Sequence, residues 1–126
     1  MANLDKADVE EVTIAWLNSW LPEGWAASGD KPKDAGTQYV LVDRTGGPRE
    51  AMVLDRAVLN IEVYHKDSRL EAKNMATEIA NRIRELEAFE HNVTKAAVNS
   101  FVHLPDLIAQ YERYQVYCDV NCRAAA

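Results

Sequence analysis

Cysteine, histidine and paired glycine are scarce in this chain, and long apolar runs are missing. The 126 residues hold two cysteines and three histidines. On one strand, Cys118 and Cys122 share a face but lie about 13 Å apart at ~3.3 Å per residue, beyond the reach of a disulfide. Two thiols are too few for a zinc site without other ligands, so both read as small buried apolar side chains in a reducing compartment. His65, His91 and His103 fall at the ends of three different elements. No HExxH or comparable ligand spacing links them, so they read as polar residues at element ends. Gly46-Gly47-Pro48 is the one glycine pair. Proline and a strand pattern follow it, where a phosphate-binding loop needs a helix N-terminus, so it reads as a hairpin turn whose glycines supply positive φ.

Other chemistry is thin as well. Ser28, Ser68 and Ser100 lack the Gly-x-Ser-x-Gly elbow of a nucleophilic serine. Carboxylates are plentiful but scattered over helix faces and loops, so no acid–base pair stands out. The sequence therefore predicts no catalytic residue, no metal site and no cofactor. The formal charge is −6, and the basic residues are dispersed among acids. That argues against gripping a phosphate backbone, which takes a clustered Lys/Arg face. No apolar run approaches the ~20 residues that cross a bilayer. The first residues include Asp5, Asp8, Glu10 and Glu11 and show no basic, apolar leader pattern, which predicts a protein made and folded in a cytoplasm.

What is present is periodicity. The length fits one domain, residues 1–126, able to bury about two-thirds of its unfolded surface. Val9, Val12, Trp16 and Trp20 recur at helical spacing, widened by Ile14, Leu17 and Leu21. They predict a helix from about Asp5 to Trp20, capped by Asn3 or Asp5 and ended by Pro22. Residues 22–37 have no period and are rich in breakers, a long loop in which Trp25 either anchors to the body or faces a partner. A strand is expected over Gln38–Arg44, a turn over Thr45–Pro48, and a loop or strand extension over 49–53.

The second strand, Arg56–His65, puts Ala57, Leu59, Ile61 and Val63 on one face and Val58, Asn60, Glu62 and Tyr64 on the other. Asp55 and Arg56 read as an ion pair that either pins the turn or crosses to a neighbouring subunit. Ser68 and Glu71 form a capping box for about five turns of helix, whose seam is Ala72, Met75, Ala76, Ile79, Ile83 and Leu86. Strand character returns over Val93–His103, is broken at Pro105-Asp106, and alternates again from Tyr111 to Cys122. The tail from Arg123 to Ala126 is expected to fray. The order α-β-β-α-β-β predicts an α+β fold: one mostly antiparallel sheet with two helices packed on one face.

The series Val9–Leu17, Tyr39-Val-Leu-Val-Asp-Arg-Thr-Gly-Gly-Pro48, Leu54–Tyr64, an alanine-rich helix and a tyrosine-containing last strand resembles a known family. It is similar to the tail terminator (head–tail joining, or tail completion) proteins of long-tailed phages with non-contractile tails, particularly those of actinobacterial hosts. The likeness spans about residues 8–122. Its most specific part is the spacing of Arg44-Thr-Gly-Gly-Pro48 from Asp55-Arg56. It implies a homo-hexameric ring in the virion, at the head-proximal end of the tail. Such a ring stops polymerisation of the major tail tube protein and docks to the head–tail connector. DNA passes through its lumen without sequence-specific binding, and assembly takes place in the host cytoplasm. A ring needs heterologous contacts. Candidate subunit or axial contact residues are Arg44, Gly46, Gly47, Asp55, Arg56, Tyr64, Tyr111 and Tyr117, with Val58 beside Tyr64. The alternatives are another ring-forming neck or tail part (a neck completion or tail tube protein), or a small cytoplasmic adaptor or ligand-binding α+β domain.

Overall fold

A computed structural model of the chain describes residues 8–34, 36–46, 49–50 and 54–123. In chain order these form α1 (Val9–Trp20), β1 (Ala27–Ser28), β2 (Gln38–Gly46), β3 (Arg49–Glu50) and β4 (Leu54–His65). There follow α2 (Arg69–Arg82), a 3-10 turn (Ile83–Glu85), α3 (Leu86–Phe89), β5 (Val93–His103) and β6 (Glu112–Arg123). The fold is α+β. One sheet runs in the order β1-β2-β4-β6-β5, with β3 also pairing β4. All these pairings are antiparallel except β1 with β2, which makes the sheet mixed.

The β4–β6 pair is the spine, in register from Leu54↔Arg123 to His65↔Glu112. Strand alternation sends Ala57, Leu59, Ile61 and Val63 to the same face as Tyr114, Val116, Cys118, Val120 and Cys122, and all are buried. α1 covers this face with Val9, Trp16 and Leu17, and α2 covers it with Ala72, Ala76 and Ile79. The alanines let α2 lie close to the strands. Each fully buried Leu or Ile here is worth about 1.5–3 kcal/mol.

Several local expectations change. Asp8, in an extended conformation, accepts the Glu10 and Glu11 N–H groups and so caps α1 at Val9. Asn3 and Asp5 lie outside the described residues. The capping box on α2 is half formed. Ser68 Oγ accepts the Glu71 N–H at 3.0 Å, but the Ser68 N–H goes to Nδ1 of His65 at 2.9 Å. That nitrogen also accepts the Asp67 N–H at 3.1 Å, so His65 caps the turn before the helix. α2 proper ends at Arg82, and the 3-10 turn and α3 carry the chain on to Phe89.

The 22–37 loop contains β1, aligned Ala27↔Val40 beside β2. The Asn18 amide of α1 holds it there, donating to Ala27 O at 3.0 Å and accepting the Ala27 N–H at 2.9 Å. Trp25 packs against the core, its ring 6.2 Å from that of His65, so it anchors the loop. β2 runs two residues further than expected, to Gly46. Arg123 closes β6, its N–H donating to Asn92 O at 2.6 Å.

Each outer edge of the sheet is met by a carboxylate at one point. Glu10 of α1 accepts the Arg44 N–H of β2 at 2.6 Å, and Glu87 of α3 accepts the Ala96 N–H of β5 at 2.9 Å. β5 carries two register shifts against β6, between Val93 and Lys95 and between Val98 and Ser100.

Candidate interaction surface

The sheet face away from α1 and α2 is lined by polar and aromatic side chains that bond to one another. On β4, Glu62 accepts hydrogen bonds from Asn60 Nδ2 (3.1 Å), Tyr64 OH (2.9 Å) and Gln115 Nε2 (2.8 Å). Tyr117 OH donates to Gln115 Oε1 at 3.3 Å, and Arg113 Nη1 donates to Tyr64 OH at 3.4 Å. Tyr39 stacks on Tyr64 with centroids 4.5 Å apart, and Tyr111 meets both rings edge-on at 5.6 and 6.1 Å. Tyr111 OH donates to Gly36 O at 2.6 Å, tying the β5–β6 hairpin to the 22–37 loop.

Burial, reinforced by the neighbouring Tyr64 and Tyr111, pushes the Tyr39 hydroxyl up to about 12. Burial raises Tyr64 as well. These phenols stay protonated and serve as hydrogen-bonding and stacking groups. The Oδ1 of Asn60 has no hydrogen-bond partner among the described residues.

The sequence-derived contact residues divide between two places. Arg44 and Asp55 meet on the helix-covered side, in a two-pronged ion pair of 2.7 and 2.8 Å. Arg44 Nε also donates to Gly46 O at 3.2 Å. The expected Asp55–Arg56 pair gives way to this one, because neighbours on a strand point to opposite faces and Asp55 is turned inward, 5% exposed. Gly46 lies in β2 without positive φ, and a Cβ there meets nothing within 4 Å, so its conformation does not demand glycine. Gly47 lies outside the described residues. Tyr64 and Tyr111 come together on the open face, and Tyr117 lies on the same face further along β6. Tyr64 lies nine positions along β4 from Asp55, about 30 Å at ~3.3 Å per residue.

A third place was not marked by any period. β5 is the edge strand on the side away from β1, and its Val98 and Phe101, on the helix-covered face, and Val102, on the open face, are each 38% exposed. The apolar character continues into the β5–β6 hairpin tip, where Leu104 is 48%, Leu107 82% and Ile108 98% exposed. The tip is well built. Asp106 and Tyr111 exchange backbone hydrogen bonds of 2.9 and 3.1 Å, Asp106 Oδ1 accepts the Ala109 N–H, and Arg113 Nε donates to Leu104 O. Gln110 takes φ +62 to close the turn, and His103 stacks on Tyr114 at the base. In the sequence, the one hint is the adjacent pair Leu107-Ile108 in a segment opened by Pro105-Asp106.

For chemistry, burial pushes the Cys118 thiol to about 12 and the Cys122 thiol to about 11. Both are buried and unpaired, and a protonated thiol is a poor nucleophile. Among the described residues no group of three or more His, Cys, Asp or Glu is placed to hold a metal ion. None of the described helices is long and apolar enough to cross a membrane. No protein-family model matches the chain, and a search of curated proteins finds no significant match.

Proposed function

We propose that this protein is a structural subunit that works by self-association: a tail terminator forming a homo-hexameric ring at the head-proximal end of a phage tail tube. The ring stops tube polymerisation and offers a docking surface to the head connector. The observation that carries this reading is the set of exposed apolar side chains on the edge strand β5 and its hairpin tip, above all Leu104, Leu107 and Ile108. Exposed strand edges and apolar patches are where protein contacts form. The polar side chains of the open face are instead committed to one another. The resemblance in residues 8–122 supplies the identity of the ring.

The test is to add purified protein to polymerising tube subunits and measure tube lengths by electron microscopy. Short tubes with one ring at one end are the expected outcome. Tubes of unchanged length with bare ends sink the terminator reading. Rings that leave tube length alone point to a different neck or tail part.

A further inference from the structure

We propose that His65 is a pH-operated clasp. As a neutral ring it fastens the entry to α2 and supports Trp25 of the 22–37 loop, and on gaining a proton in mild acid it releases both. The device belongs to the single chain and does not depend on ring formation.

The geometry makes the protonation state of this ring decisive. Its Nδ1 accepts the Asp67 N–H at 3.1 Å and the Ser68 N–H at 2.9 Å. A neutral imidazole has one acceptor nitrogen, and a protonated one has none. A proton on Nδ1 therefore points at two donors, and both bonds break. The charged ring cannot stay in place either, because His65 is only 8% exposed and a buried charge needs a partner.

Its surroundings supply none. On β6 the register neighbour is Glu112, which is already shared. His103 Nε2 of β5 lies 3.2 Å from Glu112 Oε1, and Arg69 of α2, bound to Tyr114 OH, adds a second cation in its field. Acid charges His103 too, which then holds Glu112 more firmly. On β2 the register neighbour is Gln38, which is neutral. Lys66, Asp67 and Glu71 are exposed, so water and salt screen them. The Trp25 ring is 6.2 Å away and tilted by 50°, outside the ~6 Å at which an aromatic face holds a cation.

Two parts lose their support when the ring turns out to water. Ser68 Oγ caps α2 through the Glu71 N–H, so a loose Asp67-Ser68 turn frees the first turn of the helix. Trp25 loses the ring beside it. Trp25 and Glu71 both line a hollow of about 430 Å³, with Trp20 and Met75 among its other walls. The clasp therefore sets the width of that hollow, narrow at neutral pH and wider in mild acid.

The experiment is a proton–nitrogen NMR titration of the whole chain from about pH 8 to 5.5, where histidine changes charge. It compares wild type with His65→Asn, whose acceptor does not titrate, and with His103→Gln. In wild type the Asp67 and Ser68 amide protons should shift upfield with the same midpoint as the His65 ring. The Trp25 indole signal should move with them. Hydrogen-exchange protection at Glu71 and Ala72 should fall by as much as about tenfold per pH unit. All these responses should vanish in His65→Asn and persist in His103→Gln. A His65 ring that stays neutral throughout overturns the clasp, as does one that takes up a proton while Asp67, Ser68 and Trp25 keep their neutral-pH signals. A Trp25 transition that survives in His65→Asn overturns it as well. If His65→Asn fails to fold, the wild-type titration decides alone.

Discussion

The Glu87 carboxylate accepts the Ala96 backbone N–H at 2.9 Å, so a side chain from α3 occupies a donor on the outer edge of β5. This bond, and then Arg84, holds the Glu87 carboxyl below the usual glutamate range. A depressed folded value means stabilisation that is present above the unfolded value of about 4.3 and is lost as pH falls through the folded one. The Ala96 amide is expected to lose protection from hydrogen exchange, relative to neighbouring amides, as pH falls below the ordinary glutamate range. Glu87→Ala should show the lower protection at every pH. Equal protection in both proteins removes the capping role.

Arg44 and Asp55 form the most buried ion pair described here, with side-chain exposures of 28% and 7%. Arg44→Ala leaves a buried carboxylate without its two-pronged partner. Breaking a fully buried pair costs about 3–5 kcal/mol, and the partial exposure of Arg44 reduces this to roughly 2–3 kcal/mol. Urea unfolding measures it. The Arg44→Ala/Asp55→Ala double variant should recover part of the loss, and a double variant as unstable as the sum of the singles argues against the pair.

His65 accepts two backbone N–H groups on one ring nitrogen, at 3.1 and 2.9 Å. Its other nitrogen, Nε2, therefore carries the proton. His65→Ala orphans both donors at the entry to α2, a loss of about 1–3 kcal/mol in denaturant unfolding. His65→Asn, whose carbonyl oxygen can accept one of them, should recover part of it. A change within a few tenths of a kcal/mol for both variants rules out the cap.

Alkaline pH tests the buried thiols. The folded values of Cys118 and Cys122, about 12 and about 11, lie above the ordinary thiol value of 9.0. The unfolded chain thus releases these protons first, and stability should be full below pH 9 and fall as pH rises towards 11. The slope is about 1.4 kcal/mol per pH unit for each proton released on unfolding. Tyr39, raised from 10.0 to about 12, steepens the fall above pH 10. A Cys118→Ala variant should show a shallower decline between pH 9 and 10, by denaturant titration at several pH values, whatever its stability at pH 7.

The spine of the fold was legible because strand alternation is a geometric consequence of the backbone. Ala57, Leu59, Ile61 and Val63, and Tyr114 to Cys122, could point no other way once paired. Partners across the sheet were not legible. Asp55 finds Arg44 because of the β2–β4 register and the shift after Arg44, which no local pattern encodes. β1 is two residues held by Asn18, too short to show a period. His65 displaced Glu71 from the capping box because it sits at the end of β4, close to the helix only in three dimensions. The proposed contact surface was hardest to see. An apolar pair such as Leu107-Ile108 in a turn has the same sequence signature whether it ends up inside or outside.

The two register shifts in β5 also decide what can join its edge. Each bulge kinks the strand and increases its local twist, so the rim of the sheet is a bent template. A flat, regular segment from an unrelated or unfolded chain cannot follow it over many residues. Only a surface shaped to the same two bends makes full contact, and an open edge is thereby made selective.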